Sequence, residues 1–437
     1  MNNKGFTLIE LLAVVILLIT ISLFVMPRIV DVIKDGDKTK ENITKNKIIE
    51  AAKEYVGEYN TTFLNDLVNV GDSKYIDKEE LINNKLLDTK DIGDIPFIKV
   101  KVILKEDNKI EYIIVDSATV SRPNYGNAVD YINNLYDIED FRKEDGLKKD
   151  NTSDANIRYE GANPNNYVKF NDELWRIIGV FGDNIKLVRS EELIKLSWDS
   201  SDSSVNNGWG VNEWSQADLK EYLNTNYYGG TSVTCYVDYN NSTTTCPTGS
   251  LNSTSKSMIN NYTWNTGAIN VEDTTIVNLE TFALNTVPFY NAERGSVNGK
   301  ICTSGIDCND TVTRTTTWQG YVALPYATDW AYASSETACA TNMWDGVDFA
   351  NENYDNAACK KNNWMHHGST MDEGMWMLSP LANSYGAFYA WIILGGGVVN
   401  SGRVFGAISV FPSVYLNTEV KITSGSGTSS DPYILEL

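Results

Sequence analysis

Residues 6–26 form an apolar run interrupted by a single acid, Glu10, and no other stretch of the chain restricts its folding so strongly. From Leu11 to Met26 there is no charge. As a helix the run would extend roughly 31 Å at about 1.5 Å per residue, enough to cross a bilayer. A carboxylate inside it costs about 2.5–3.5 kcal/mol on insertion scales, so Glu10 reads as functional. Pro27 closes the run where a kink or break is expected.

No small-residue cleavage site follows the apolar run, and the only break lies before it, at Gly5-Phe6. The stretch Lys4-Gly5-Phe6-Thr7-Leu8-Ile9-Glu10 resembles the class III signal of type IV pilins and pseudopilins. The resemblance implies that residues 1–5 are a leader, that prepilin peptidase cuts between Gly5 and Phe6, and that Phe6 is then methylated. It also makes Glu10 the assembly residue, meeting the Phe6 ammonium of a neighbouring pilin subunit. Two opposite charges, each costly in apolar surroundings, offset one another only when brought together, which would set the axial stagger of subunits. The precursor is expected in the inner or cytoplasmic membrane and the assembled subunit at the cell surface or in an extracellular filament. A plain membrane anchor is the simpler alternative.

Composition then divides the chain. All eleven tryptophans lie between Trp175 and Trp391, and all six cysteines lie beyond residue 230. The amino-terminal third has neither. Its apolar positions Ile48, Ala52, Tyr55 and Tyr59 follow helical spacing and predict a long helix from Phe6 to about Tyr59. Ile76 to Ile82 reads as a short helix with Asp77 as N-cap and Glu80 three residues on. Two alternating runs, 97–104 and 110–115, predict a hairpin. A helix followed by a small antiparallel sheet is how pilin heads are built, so the resemblance covers residues 6–120. Residues 121–156 are polar and mixed in charge, and read as a linker with a short helix near Ala128 to Leu135. The remaining segment, 157–437, is long enough for a core of its own.

The formal charge of −21 argues against sequence-independent nucleic-acid binding, which needs a basic surface. In an exported chain the cysteines are best read as disulfides. Nearest-neighbour pairing, Cys235 with Cys246, Cys302 with Cys308 and Cys339 with Cys359, is expected because each pair brackets a loop rich in Gly, Asn or Thr. No CxxC occurs, and the two histidines, His366 and His367, are adjacent. They do not complete a metal site with those cysteines. GxSxG, HExxH and phosphate-binding glycine loops are also missing, so no catalytic residue and no enzyme activity is expected. No cofactor is expected either; Asp307, Asp310, Asp345 and Asp348 are of the type calcium takes, and a solvated acidic surface accounts for them more simply.

Residues 167–170 and 173–180 read as two strands around an Asn171-Asp172 turn, and 431–437 as a closing strand. With Trp376-Met377-Leu378-Ser379-Pro380, Ala390-Trp391 and Val410 to Leu416, they resemble bacterial surface modules with a C-type-lectin-like fold. In that family the last motif is Val-Arg-Pro-Val-Val; here Phe411 and Ser413 replace its Arg and one Val, which removes the usual salt-bridging role. The expected architecture is thus α+β: a long pilin helix with a small sheet, a linker, and a C-type-lectin-like domain with disulfide-closed loops.

Residues 381–413 contain no Lys, Glu, Gln or Met, and Trp391 is the one tryptophan. Apart from Trp391, this alphabet fits codons ending in C. Some C-type-lectin-like proteins are variable proteins of diversity-generating retroelements, which randomise adenines of AAC codons. The resemblance implies a hypervariable ligand-binding face. Period-two alternation assigns Trp391, Ile393, Gly397, Val399, Val404, Val410, Pro412 and Val414 to the scaffold. It presents Ser384, Tyr385, Ala387, Phe388, Tyr389, Ile392, Leu394, Asn400, Ser401, Arg403, Phe405, Ala407, Ile408 and Phe411. A buried glycine-rich hairpin, Ile392-Ile393-Leu394 against Val398-Val399, is the structural alternative. The function expected is adhesion or reception: a pilin-like subunit whose variable face binds a protein or glycan on another cell, a phage or a host. A pseudopilin of a secretion or DNA-uptake machine, or an enzyme on a formylglycine-generating-like scaffold, are the rivals. The latter would need a redox cysteine pair or a metal.

Overall fold

The computed structural model describes residues 42–60, 62–67, 73–88, 90, 97–116, 122–200, 209–239, 241–247, 249–270, 273–278, 283–295, 312, 314–343, 357–367, 374–382 and 386–437. Gly5, Phe6, Glu10 and the apolar run lie outside the described residues, as do Cys302, Cys308, Asp307, Asp310, Asp345, Asp348, Ser384 and Tyr385. Among the described residues no helix is long and apolar enough to cross a membrane. The chain is mixed helix and sheet, and divides into two compact units, Met1–Ser121 and Arg122–Leu437.

In the first unit, residues 42–54 are α-helical and Tyr55–Tyr59 continues as a π-helical turn, with the Asn60 N–H donating to the Tyr55 carbonyl at 2.8 Å. Ile48, Ala52 and Tyr55 are buried as their spacing predicts, but Tyr59 is 52% exposed. The wider turn carries Tyr59 off the apolar stripe. The helix packs on a three-stranded antiparallel sheet, Ser73–Asp77, Phe97–Leu104 and Ile110–Asp116, burying Ile76, Val100, Val102 and Leu104. The short helix is Lys78–Asn83, and the Glu80 carboxylate accepts the Asp77 N–H at 3.2 Å. Asp77 is its N-cap as expected, and Ile76 before it lies in the first strand, opposite Val100.

The second unit begins at Arg122, so the expected linker 121–156 is corrected: residues 122–156 are part of the folded module. Arg122 donates to both Asp145 oxygens, at 2.8 and 2.7 Å. The helix Ala128–Asp137, capped by Asn127, buries Ala128, Tyr131, Ile132 and Leu135. The short helix expected near Ala128 to Leu135 is thus present, and its apolar stripe is part of the module's core. Gly126–Asn127 pairs with Lys421–Ser424, and Leu147–Lys149 with Ile157–Tyr159.

Two sheets make up most of this unit. Along its main path the larger runs in the order Val322–Ala323, Ser413–Tyr415, Asn184–Arg189, Glu173–Phe181, Tyr167–Phe170, Tyr433–Glu436, Lys421–Ser424, Gly126–Asn127. Asn171 and Asp172, both in the left-handed region at φ 56 and 58, make the two-residue turn that suits their side chains. The closing strand Tyr433–Glu436 lies parallel to the opening strand Tyr167–Phe170. The smaller sheet runs Ile194–Leu196, Ile408–Val410, Met375–Ala382, Tyr389–Ile393, Val399–Arg403.

Behind the larger sheet lies a set of buried charges. Asp329 accepts from Arg158 Nη1 at 2.8 Å, from Lys186 Nζ at 2.5 Å and from the Tyr326 N–H at 2.9 Å, while Arg158 Nε reaches Asp150 at 2.6 Å. Phe181, Trp264, Tyr326 and Tyr415 surround the Lys186 ammonium at 4.2–5.7 Å from ring centres. Burial alone would raise the Asp329 pKa, but Lys186 and Arg158 hold it down at about 2; burial lowers that of Lys186 to about 8, against the pull of Asp329. Cys235–Cys246 and Cys339–Cys359 are disulfide-bonded as expected, and no described cysteine is free.

Candidate functional site

The carboxyl-terminal window is folded around the central strand Tyr389–Ile393, which pairs with Met375–Ala382 on one side and Val399–Arg403 on the other. A strand flanked on both edges and covered on both faces cannot sort its residues by period two. Ala390, Trp391, Ile392 and Ile393 are all buried, with Trp391 edge-on to Phe289 at 4.9 Å. Four residues expected on the presented face are therefore corrected to the interior: Ala387, Ile392, Ile408 and Phe411 are at most 8% exposed. Phe411 stacks on His367 at 4.6 Å, and Ile392 and Ile408 pack around Gly402, where a Cβ would come within 3.0 Å of both. Burial, with Arg176 and His366 nearby, lowers the His367 pKa to about 4. The residues assigned to the scaffold are all buried.

The remaining presented residues fall at two ends of the hairpin. Leu394 lies at the glycine turn, where its N–H meets the Val398 carbonyl at 2.9 Å, and the half-buried Asn400 and Ser401 lie along the edge strand. At the opposite end, Tyr389 faces Arg403 across the strands, and the Val404 N–H donates to the Phe388 carbonyl at 3.0 Å. Phe388, Tyr389, Arg403, Phe405 and Ala407 all retain exposed surface there.

Two aromatic residues from outside the window complete this end. Trp209, 39% exposed, meets Phe388 edge-to-face at 4.9 Å and Phe405 at 6.3 Å; Tyr239, 48% exposed, meets Phe405 at 5.8 Å. Phe388 also lies 4.6 Å from Tyr389. The Arg403 guanidinium stands 5.9 Å from the Trp209 ring and 6.0 Å from that of Phe405, within cation–π range. Sequence reasoning missed Trp209 and Tyr239 by confining itself to the window. The available signal was an aromatic side chain set among loop formers, Gly208-Trp209-Gly210 and Asp238-Tyr239-Asn240-Asn241, where no core can absorb it.

The patch is held from below. Ser197 Oγ donates to the Phe405 carbonyl at 2.6 Å, the Asp199 N–H to the Val404 carbonyl at 3.0 Å, and Ser200 Oγ to the Asp238 carbonyl at 2.5 Å. The Asp199 carboxylate accepts the Val211 N–H at 2.6 Å, drawing the Trp209 strap down. Gly210 makes that approach at φ +71, where a Cβ would lie 2.2 Å from the Asp199 carbonyl oxygen. Burial, and then the neighbouring Asp218, push the Asp199 pKa up to about 7. Asn212 ties the strap to the window: its N–H donates to Ala387 O at 2.8 Å, and its Nδ2 to Leu381 O at 2.9 Å and Tyr389 O at 2.6 Å. Arg314 Nε fixes the Asn212 Oδ1 at 2.9 Å.

Other clusters do not match this arrangement. A pocket of about 120 Å³ lined by Lys148, Asp150, Arg158 and Tyr332 has the buried ion pairs as its floor. Among the described residues no group of three His, Cys, Asp or Glu side chains is placed to hold a metal ion. Compared with known proteins, the chain matches no family model, no curated protein and no solved structure. The geometry of the patch therefore carries its reading.

Proposed function

We propose that the chain is a pilin-like surface subunit whose second unit is a C-type-lectin-like adhesion or receptor module, binding a protein or glycan ligand through the patch of Trp209, Tyr239, Phe388, Tyr389, Arg403 and Phe405. One observation carries the binding part: aromatic rings and an arginine gathered at one end of a hairpin, part exposed and fixed by a buried hydrogen-bonded frame. Tyr, Trp and Arg give large contact area at small entropy cost and dominate binding hot spots. The window 381–413 contributes Phe388, Tyr389, Arg403 and Phe405, which supports its role as a diversified face. The pilin part rests on Gly5, Phe6 and Glu10: prepilin peptidase would be the processing partner, other pilin subunits the assembly partners, and the membrane the site of the precursor. The reading assigns no reaction, cofactor or nucleic acid to the chain.

The test is to immobilise the full-length chain in detergent micelles and probe it with a glycan array and a random peptide library. Ligands recovered should be lost when Trp209 and Tyr239 are both changed to alanine. Ligands that bind the double variant as well as the parent would remove the patch from the proposal. For the pilin part, Glu10→Ala should leave membrane insertion intact and abolish filament incorporation; normal assembly of that variant would refute the stagger.

A further inference from the structure

We infer that the partner is a protein segment that offers one carboxylate, from Asp or Glu, beside apolar side chains, with Arg403 taking the carboxylate and the aromatic clefts taking the apolar groups. The inference rests on the patch being the binding face. Its first support is the state of Arg403. Every other described arginine donates at least one hydrogen bond within the chain: Arg122 and Arg158 to aspartates, Arg189 and Arg294 to glutamates, Arg176 and Arg314 to asparagines, Arg142 to a carbonyl. The Arg403 side chain donates none among the described residues, and its guanidinium stands over the rings of Trp209 and Phe405. In a chain with 57 acidic and 36 basic side chains, an exposed guanidinium without a carboxylate is an unfilled complement. Among the described residues beside the patch, the Asp199 carboxylate accepts the Val211 N–H and that of Asp238 accepts the Tyr239 N–H.

The second support is the shape of the aromatic set. Trp209 and Phe388 meet at 77° and Tyr239 and Phe405 at 69°, so the rings form clefts between edges and faces. Such clefts accept aliphatic or aromatic side chains, whereas a sugar ring needs a flat platform and many hydrogen-bonding partners for its hydroxyls. Phe388 and Phe405 offer no polar atom, and desolvating unpaired hydroxyls against them would be costly. The third support is charge. A net −21 repels a polyanion over the whole surface, while a single carboxylate set in an apolar segment meets mainly the local field of Arg403.

The experiment pans a random peptide library on the full-length chain in micelles and on its Arg403→Glu, Arg403→Lys and Trp209→Ala/Tyr239→Ala variants. The expected peptides share an Asp or Glu next to aromatic or aliphatic residues. Their affinity should fall at least about tenfold in Arg403→Glu and less in Arg403→Lys, which keeps the charge but loses the planar fork. Peptides that lack an acid, or that bind Arg403→Glu as well as the parent, overturn the inference and leave the patch standing. Binding unchanged in the double alanine variant overturns the patch itself. A chain that takes glycans and enriches no peptide overturns the choice of a protein partner. Arg403 is exposed, so its variants leave the fold in place.

Discussion

Two regions of the second unit set a cation among aromatic rings, and they differ in what completes them. Around Lys186 and Arg158 the rings close over the charge, and Asp329 and Asp150 neutralise it within 2.5–2.8 Å. Around Arg403 the rings stay half open and, among the described residues, no acid pairs with it. The first arrangement is internally satisfied and therefore structural, since removing any member strands a buried charge. The second is unsatisfied in the same chemical sense, yet water covers the deficit until a partner does. The same side-chain types thus read as core or as interface according to whether their complement is supplied by the chain.

The largest test of this contrast is Asp329→Ala. It should cost about 3–5 kcal/mol in urea unfolding of the second unit, because Lys186 and Arg158 lose their shared acid in the interior. Trp209→Ala, in the patch, should shift the same transition by about 0.5 kcal/mol or less while removing ligand binding. A small loss for Asp329→Ala would mean that water reaches the network and that the two regions are alike. Next in size are the disulfides. Replacing Cys339 and Cys359 by serine should cost about 3 kcal/mol, and replacing Cys235 and Cys246 about 0.5 kcal/mol less, since the enclosed separations are 20 and 11 residues. Denaturation of each double variant beside the oxidised parent would check both the size and the order.

How far the sequence could be read follows the same division. Local signals were legible: the hairpin 97–116, the Asn171-Asp172 turn and the two described disulfides depend on neighbours in the chain. Contacts made across the fold were not. The helix Ala128–Asp137 belongs to the module because Gly126–Asn127 pairs with Lys421–Ser424, nearly 300 residues away. Ile392 was placed on the surface by alternation, and the covering of a central strand by Gly402 and Trp376 reversed it. Trp209 and Tyr239 lie outside the window that the alphabet argument isolated, and Asn212 and Arg314 carry no motif at all. Four of the six patch residues were visible because they fall within one window of the sequence; Trp209 and Tyr239 are brought to them by topology.

Asn212→Ala gives a middle-sized effect that connects the regions. Two hydrogen bonds donated by the side chain and two that it accepts from Arg314 are lost, while Arg314 keeps the Asn212 backbone carbonyl, for a cost of about 1–3 kcal/mol in the same unfolding assay. Peptide binding should weaken with it, since Ala387 and Tyr389 lose their tether to the Trp209 strap. Retained affinity in a destabilised Asn212→Ala variant would show that the patch holds its geometry unaided.

The smallest effect expected is a pH dependence beneath the patch. The folded-state pKa of Asp199, about 7, lies above its ordinary 3.8, so the folded chain keeps a proton that the unfolded chain releases. Stability from this group should therefore fall as pH rises from 3.8 towards about 7 and stay level above that. Burial is the main cause and Asp218 the second, so Asp218→Asn should reduce the slope without abolishing it, by roughly 1 kcal/mol across the window. The measurement is the difference between parent and Asp218→Asn unfolding midpoints as pH is stepped through that window, which cancels the titration of the other acids. Asp329, whose value is held at about 2 by Lys186 and Arg158, contributes with the opposite sign: its stabilisation is present above the ordinary carboxylate range and is lost only as pH falls towards 2. If the parent and Asp218→Asn track each other, Asp218 contributes nothing to the raised Asp199 pKa and burial alone sets it.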